Sequence, residues 1–246
     1  MQNVDPRAST TEDRYASDRR EFFRRAFLAL GFNGITGDYA EFGCHTGTTF
    51  KLAYEESTKA AKHLTENANV SVSKRRLWAF DSFQGLPGSM LPEDEHPAWR
   101  EGTLCTTLEQ FHTICANNKI PRNEYETVEG FYEVSLAGDS LSWAPADIAL
   151  AFVDCDLYSS ISTVFRFLKP RLKHGMILAL DDYYCYSSTQ VSGARRASVE
   201  VFAASQDWRL VPYVQFGWAG MSYIVESKKL LEDPVALLMQ DSSKDR

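Results

Sequence analysis

Residues 38–64, "DYAEFGCHTGTTFKLAYEESTKAAKHL", decide the fold of this chain. The first five letters are typical of a short strand, Gly43 and Gly47 mark a turn, and the remainder has the apolar spacing of a helix. A strand, a glycine turn and a helix in this order form the opening unit of an α/β fold. The turn also places backbone N–H groups of a helix N-terminus beside the end of a strand, where negatively charged ligand groups bind.

Strand and helix patterns alternate along the rest of the chain. Apolar runs predict further strands, at 75–83, 125–131, 147–154 and 176–184. Helical spacing predicts helices, at 107–119, 159–175 and 193–205, besides one that starts at Ser17. The last part, 208–227, predicts two strands joined by a turn near Gly217 to Gly220. Together these patterns predict an α/β, Rossmann-like, mostly parallel sheet with helices on both faces and an antiparallel hairpin at its edge.

Composition predicts a single globular domain that acts on small molecules. The chain has 246 residues, of which 44% are hydrophobic, and a net charge of −7, which argues against nucleic-acid and membrane-surface partners. We predict a flexible segment at 1–16, the domain at 17–227 and a tail at 228–246. Scattered cysteines and a polar start without a signal segment favour the cytoplasm. The aromatic first helix and the apolar tail favour a homodimer.

Acidic residues stand at the predicted ends of several strands. Asp81 follows the second strand, where a carboxylate can accept hydrogen bonds from ribose hydroxyls, although a lone Asp is also a common turn cap. The first strand is followed by G-x-x-x-G, which lacks the third glycine of a dinucleotide motif and can also be a plain strand-to-helix turn. These features favour a nucleoside-bearing ligand other than a dinucleotide.

Four more carboxylates follow the strands at 147–154 and 176–184: Asp154, Asp156, Asp181 and Asp182. If the two strands are neighbours, these charges repel one another unless a cation neutralises them, and Mg²⁺ prefers such oxygen ligands. Asp154 and Asp181 are the better metal-ligand candidates, whereas the second acid of each pair can instead cap a helix. The histidines show no ligand spacing, which gives a zinc site no support.

Residues 154–156, "DCD", also form a D-x-D motif, which is typical of glycosyltransferases that hold a metal against a nucleotide sugar. That alternative leaves the glycine turn and Asp181–Asp182 unexplained. A nucleotide-binding module without catalysis is a third possibility, and it leaves the acid cluster without a purpose.

Five segments, in this order, resemble the macrocin O-methyltransferase family: "GDYAEFGCHTG", "FDSFQGLP", "EGFYEVSL", "FVDCDLYSS" and "LALDDY". Members of that family are metal-dependent enzymes that methylate sugar hydroxyls with S-adenosylmethionine. The resemblance implies a class I methyltransferase sheet of seven strands with an antiparallel last strand. It also implies a small-molecule acceptor with a hydroxyl group.

The resemblance assigns roles to individual positions. The implied cofactor-binding residues are Glu41, Gly43, Gly47, Thr48, Thr49, Asp81, Ser82, Phe83, Gly130 and Phe131. Of these, Glu41 is implied to face the amino-acid part of the cofactor, Thr48 and Thr49 to lie near its carboxylate, and Asp81 to hold the ribose. The other residues after the second and third strands are implied to enclose the adenosine.

The implied metal ligands are Asp154, Asp181 and Asp182, with Mg²⁺ as the metal. Asp154 is also implied to be the general base, and Asp156 to support the ligands or to cap a helix. His45 is a rival base because it lies in the loop beside the cofactor motif, but a turn histidine satisfied by the backbone is the simpler interpretation.

Overall fold

The computed structural model describes residues 11–88, 91–138 and 143–231. Its helices are α1 (Thr11–Phe32), α2 (Thr48–Asn67), α3 (Leu108–Asn117), α4 (Tyr132–Ser135), α5 (Tyr158–Leu168) and α6 (Gly193–Phe202). Its strands are β1 (Asp38–Phe42), β2 (Leu77–Asp81), β3 (Tyr125–Glu129), β4 (Ile148–Val153), β5 (Ile177–Leu180), β6 (Trp208–Phe216) and β7 (Gly220–Ser227). Every predicted strand is present, and each observed strand after β1 lies within its predicted range.

The strands form one seven-stranded sheet in the order β3-β2-β1-β4-β5-β7-β6. Neighbours from β3 to β5 pair in parallel, while β7 runs antiparallel to both β5 and β6. The predicted fold class is therefore confirmed, including the hairpin at the edge. In the register, Val153 of β4 lies opposite both Phe42 of β1 and Leu180 of β5, so the carboxyl ends of these three strands are level.

Two hydrophobic cores cover the two faces of the sheet. Helices α1, α2 and α3 pack on one face, and α4, α5 and α6 pack on the other. All six residues of β4 and all four of β5 are buried, which explains their unbroken apolar sequence. The first core is rich in aromatic rings, among them Phe23 at 5.4 Å from Phe152 and Phe22 at 4.6 Å from Phe216, measured between ring centroids.

Helix α1 differs from its prediction at its start. It begins at Thr11 rather than at Ser17, so residues 11–16 of the segment predicted as flexible are helical. The apolar stripe gave no sign of this extension because the added residues are mostly polar. Residues 1–10 lie outside the described residues.

The aromatic side of α1 and the apolar tail are the two features that favour a homodimer in the sequence. The aromatic side of α1 packs inside the chain, since Phe22, Phe23 and Phe27 are at most 2% exposed. Of the predicted tail, residues 228–231 form a helical turn, and its apolar segment lies outside the described residues. The homodimer stays a prediction. Across the described residues, none of the helices combines the length and apolarity that crossing a membrane requires.

Candidate active site

A cavity of about 240 Å³ opens where β1, β2, β4 and β5 end. In a parallel sheet the loops after the strands converge at this edge, which makes it the usual ligand site. The wall carries residues from both groups predicted to form the site. They are Gly43, Asp81, Ser82, Phe131, Asp154, Asp181 and Asp182, and His45 also lies on the wall.

Gly43 lies where the ends of β1 and β4 meet, and the position accepts no residue with a Cβ atom. Its φ is +88°, and a Cβ atom there would lie 1.8 Å from the backbone oxygen of Asp154. Only glycine permits this approach, because any side chain would overlap the neighbouring backbone. Backbone hydrogen bonds hold the same junction, since the Asp154 N–H donates to Phe42 O at 2.8 Å and the Gly43 N–H to Phe80 O at 2.8 Å.

Asp81 joins two strand ends at the edge of the cavity. Its carboxylate accepts hydrogen bonds from the backbone N–H groups of Cys44 at 2.6 Å, Phe83 at 2.8 Å and His45 at 3.3 Å. These contacts join the end of β2 to the glycine turn after β1. The carboxylate also reaches the cavity wall, and a carboxylate has more acceptor positions than these bonds occupy. It can therefore hold the turn and still accept hydrogen bonds from a ligand hydroxyl.

Glu41 lies behind the cavity wall. It is fully buried, and its carboxylate accepts a hydrogen bond from the Thr49 hydroxyl at 2.5 Å and another from the Tyr39 hydroxyl. Burial is the main reason that the pKa of Glu41 rises to about 8, while both hydroxyl donors lower it in part. Because Thr49 belongs to the first turn of α2, this contact fixes the helix N-terminus to β1. Thr48 is exposed and shares a 3.0 Å hydrogen bond with Thr46.

The residues predicted to enclose an adenosine lie at the ends of β2 and β3. Ser82 and Phe83 are buried, and the Ser82 hydroxyl donates to Gly85 O at 2.7 Å. Gly130, with φ +124°, donates its N–H to Asp81 O at 3.0 Å, and Phe131 lies on the cavity wall next to it. Ser82 and Phe131 thus line the cavity, whereas Gly130 lies behind Phe131 and Phe83 packs into the core against Phe111, with ring centroids 5.5 Å apart.

The four predicted carboxylates meet on the other side. Asp154 and Asp156 follow β4, Asp181 and Asp182 follow β5, and all four line the cavity. The Asp181 N–H donates a hydrogen bond to Val153 O at 3.0 Å. The pairing of β4 with β5 therefore continues as far as Asp181. The expectation that the two strands are neighbours is confirmed.

Burial and mutual repulsion disfavour charge in this cluster. Burial first, and then Asp181, Asp182 and Asp156, raise the pKa of Asp154 well above its usual value. Burial and the Asp181 charge raise the pKa of Asp182 to about 6. Burial first, and then the neighbouring Asp182, also raise the pKa of Asp156 well above its usual value. The site therefore favours a positively charged occupant.

Arg19 of α1 is the site residue that the sequence analysis missed. Its Nε donates to Asp181 Oδ1 at 3.0 Å and its Nη2 donates to Asp181 Oδ2, and the guanidinium lies on the cavity wall. The sequence did hold a signal. Arg19 precedes Phe22 and Phe23 by three and four positions, which places a charge on the apolar stripe of a helix and implies a buried partner.

The donor chemistry of the cluster fits a hard divalent cation, because all four side chains offer carboxylate oxygens. Their present arrangement is not a finished metal site. Among the described residues, no group of three or more His, Cys, Asp or Glu side chains is arranged to hold a metal ion. Asp181 is engaged with Arg19, and Asp182 accepts from the Cys185 thiol at 3.4 Å besides its contact with Asp156. Both would have to share or release these partners.

Asp156 does not cap the helix that follows it, so that alternative is wrong. Helix α5 starts after Leu157 without a side-chain cap, and its first turn is served by Asp94, whose Oδ1 accepts from the Ser159 N–H at 2.8 Å. Asp94 comes from the long loop after β2, which sequence spacing could not place. The other alternative for Asp156, support of a ligand carboxylate, agrees with its place beside Asp182 on the cavity wall.

Comparison with protein families gives one extended match. The family model described as macrocin-O-methyltransferase (TylF) matches residues 16–202, which include the glycine turn, Asp81 and all four acids of the cluster. A curated protein from Streptomyces olivaceus, 8-demethyl-8-(2,3-dimethoxy-alpha-L-rhamnosyl)-tetracenomycin-C 4'-O-methyltransferase, is 31% identical over 117 residues. That match covers 44% of this chain and 42% of the relative, so the chain spans less than half of the relative's length.

Solved structures share the fold. The O-methyltransferase NovP superposes with a TM-score of 0.69 at 20% identity and covers 87% of this chain and 88% of its own. The calicheamicin methyltransferase CalS11 gives a TM-score of 0.58 at 19% identity over 85% of this chain and 78% of its own. TomG from Streptomyces achromogenes, solved in complex with SAM, gives 0.51 at 13% identity, covering 89% of this chain and 91% of its own.

Proposed function

The chain belongs to the macrocin O-methyltransferase family, and we propose that it transfers a methyl group from S-adenosylmethionine to a hydroxyl of a sugar-bearing small molecule, with Mg²⁺ as a second cofactor. The observation that carries the proposal is one cavity with two unlike sides. The glycine turn and Asp81 form one side, and the four carboxylates form the other. The tetracenomycin relative, whose name states methylation of a rhamnosyl 4'-hydroxyl, supports a sugar as acceptor.

The cofactor side suits S-adenosylmethionine. Asp81 is proposed to accept hydrogen bonds from the ribose hydroxyls, while Ser82, Phe83, Gly130 and Phe131 enclose the adenine. Gly43, Gly47 and the N-terminus of α2, with Thr48 and Thr49, are proposed to receive the amino-acid part. Because Glu41 is fully buried, we propose that it does not contact the cofactor directly. It acts through Thr49, whose hydrogen bond to Glu41 fixes the start of α2.

The acidic side suits the acceptor hydroxyl. Asp154, Asp181 and Asp182 are the proposed ligands of Mg²⁺, which when bound would act as a Lewis acid on the hydroxyl and orient it. Asp154 is the proposed general base, because it lies on the cavity wall among the acids where we place the acceptor hydroxyl. Arg19, which contacts Asp181, adds a positive charge to the same side of the cavity.

His45 remains the rival base. It is exposed on the cavity wall, and its backbone is held through Asp81 on the cofactor side. Asp154 lies among the acids where we place the acceptor, which favours Asp154. The family match and the glycine turn favour methyl transfer over the glycosyl transfer that the D-x-D motif suggested. A homodimer and a cytoplasmic location stay predictions.

Calorimetry tests the cofactor. The protein in EDTA is expected to bind S-adenosylmethionine and S-adenosylhomocysteine, and to bind neither NAD nor a UDP-sugar. Methyl transfer from labelled S-adenosylmethionine to a panel of rhamnosylated acceptors is then measured with and without Mg²⁺. Tight binding of a UDP-sugar without binding of S-adenosylmethionine would overturn the proposal.

The variant Asp154→Asn tests the acidic side. It is expected to lose about 10³-fold or more in turnover, in line with the loss of a general base, and to keep its affinity for S-adenosylmethionine. Asp147→Asn is the matched control, because Asp147 directly precedes the same strand at its far end and pairs there with Lys173. Near-normal turnover of the Asp154 variant would show that another group is the base.

A further inference from the structure

Arg19 is held at the acid cluster from two sides. Helix α1 is anchored directly after it by Phe22 and Phe23, which are fully buried. The ring of Tyr15, one turn earlier, lies with its centroid 4.0 Å from the guanidinium carbon. The side chains of Arg19 and Asp181 are only 13% and 7% exposed. The guanidinium is therefore a fixed part of the cavity wall and not a surface charge that happens to reach it.

The charge balance of the cluster gives Arg19 a specific role. Its positive charge acts on Asp154, Asp181 and Asp182 together. Among the described residues, no other salt bridge reaches the four acids. The two arginines of α6 have other partners: Arg196 pairs with Glu93 and Glu200, and Arg195 lies over the ring of Tyr183. One arginine thus offsets part of the charge of three of the four carboxylates.

We infer that Arg19 is the internal counter-charge of the cation site and that it sets the affinity of that site for a divalent metal. This inference rests on the proposed function, which places the metal on Asp154, Asp181 and Asp182. Arg19 occupies both oxygens of Asp181, so a metal must share or displace one of these hydrogen bonds. The two cations also repel each other in a partly buried site where charges interact strongly. Both effects weaken metal binding, and both disappear when the guanidinium is removed.

The test compares Mn²⁺ binding by three variants, with calorimetry on the apo protein and without any turnover assay. Arg19→Gln is expected to bind Mn²⁺ about tenfold more tightly than the unaltered protein, because a repelling charge and a competing donor are both lost. Arg19→Lys keeps the charge and is expected to stay within about threefold. Arg20→Gln is the matched control, since it removes the same charge from the next position of α1, where Arg20 pairs with Glu55 and Glu56.

A thermal-shift series keeps the test valid if apo Arg19→Gln is poorly folded. The variant is expected to melt below the unaltered protein without metal and to gain more from added Mn²⁺. Mn²⁺ binding by the unaltered protein with equal or weaker binding by Arg19→Gln overturns the inference and leaves the proposed metal site intact. No Mn²⁺ binding by either protein overturns both. A tightening in Arg20→Gln as large as in Arg19→Gln would show that net charge alone is responsible, which also overturns the inference.

Discussion

Replacing Glu41 by Gln tests whether the buried carboxyl group of Glu41 is protonated in the folded protein. The usual pKa of a Glu is 4.5, and burial raises the pKa of Glu41 to about 8. The folded protein therefore keeps the proton of Glu41 over a pH range in which the unfolded chain has released it. Stability is lost as the pH rises from about 4.5 to about 8, since folding must then take up a proton.

The size of the effect follows from that range. Each pH unit between the two pKa values costs about 1.4 kcal/mol, so between pH 5 and pH 8 the unaltered protein should lose about 4 kcal/mol through this residue. No reduction for solvent screening is needed, because Glu41 is 0% exposed. In Glu41→Gln the amide does not titrate, and it can still pair with the Thr49 and Tyr39 hydroxyls. Its stability relative to the unaltered protein should therefore rise steadily with pH.

Urea unfolding at pH 5, 6, 7 and 8, followed by circular dichroism, measures the difference in the free energy of unfolding between the two proteins. All other titrating groups are shared, so the change in that difference belongs to Glu41. Glu129→Gln is the control, because Glu129 is exposed at the end of β3. A difference that varies by less than about 1 kcal/mol from pH 5 to pH 8 would refute the claim that Glu41 folds in its protonated form.

Two further substitutions test the junctions of the cavity. Gly43→Ala should prevent correct folding, because its Cβ would overlap the oxygen of Asp154, whereas Gly34→Ala, also at positive φ but with open space around it, should cost only about 1 kcal/mol in chemical denaturation. If Gly43→Ala and Gly34→Ala lose the same stability, the overlap between a Cβ at position 43 and the Asp154 oxygen does not determine folding. Asp81→Asn should weaken S-adenosylmethionine binding by about tenfold or more in calorimetry, since a neutral amide is a poorer acceptor for the three N–H groups and for the ribose. Unchanged affinity would remove Asp81 from the ribose site.

The sequence predicted the sheet because its signals are local. Strands buried on both faces, such as β4 and β5, are continuous apolar runs, and the turn from Gly217 to Gly220 separates the two strands of the edge hairpin. The acid cluster was predictable for the same reason, since each pair follows one strand, and parallel neighbours end at one edge. The start of α1 was not predictable, because a helix that extends beyond its buried stripe has no periodic signal there.

The contacts that were missed join distant parts of the chain. Asp94 serves α5 from a loop whose path depends on tertiary packing. The family resemblance implied that Glu41 binds the cofactor. The residues beside it in the sequence do not show that the Tyr39 and Thr49 hydroxyls both form hydrogen bonds to its carboxyl group. Arg19 contacts Asp181 across most of the length of the chain. Its position on an apolar stripe signalled a buried partner but not which one.

The close contact between Gly43 and Asp154 limits which parts of the cavity can change when the preference for an acceptor changes. The turn proposed to receive the methyl donor and the acid proposed to receive the proton are joined by main-chain bonds between adjacent strands. Their spacing is thus independent of Leu104, from the loop at 91–107, and of Arg19, from the first helix, which also line the cavity. Under the proposed function, substitutions at Leu104 can therefore change the acceptor while the distance between the donor turn and the proposed base stays constant.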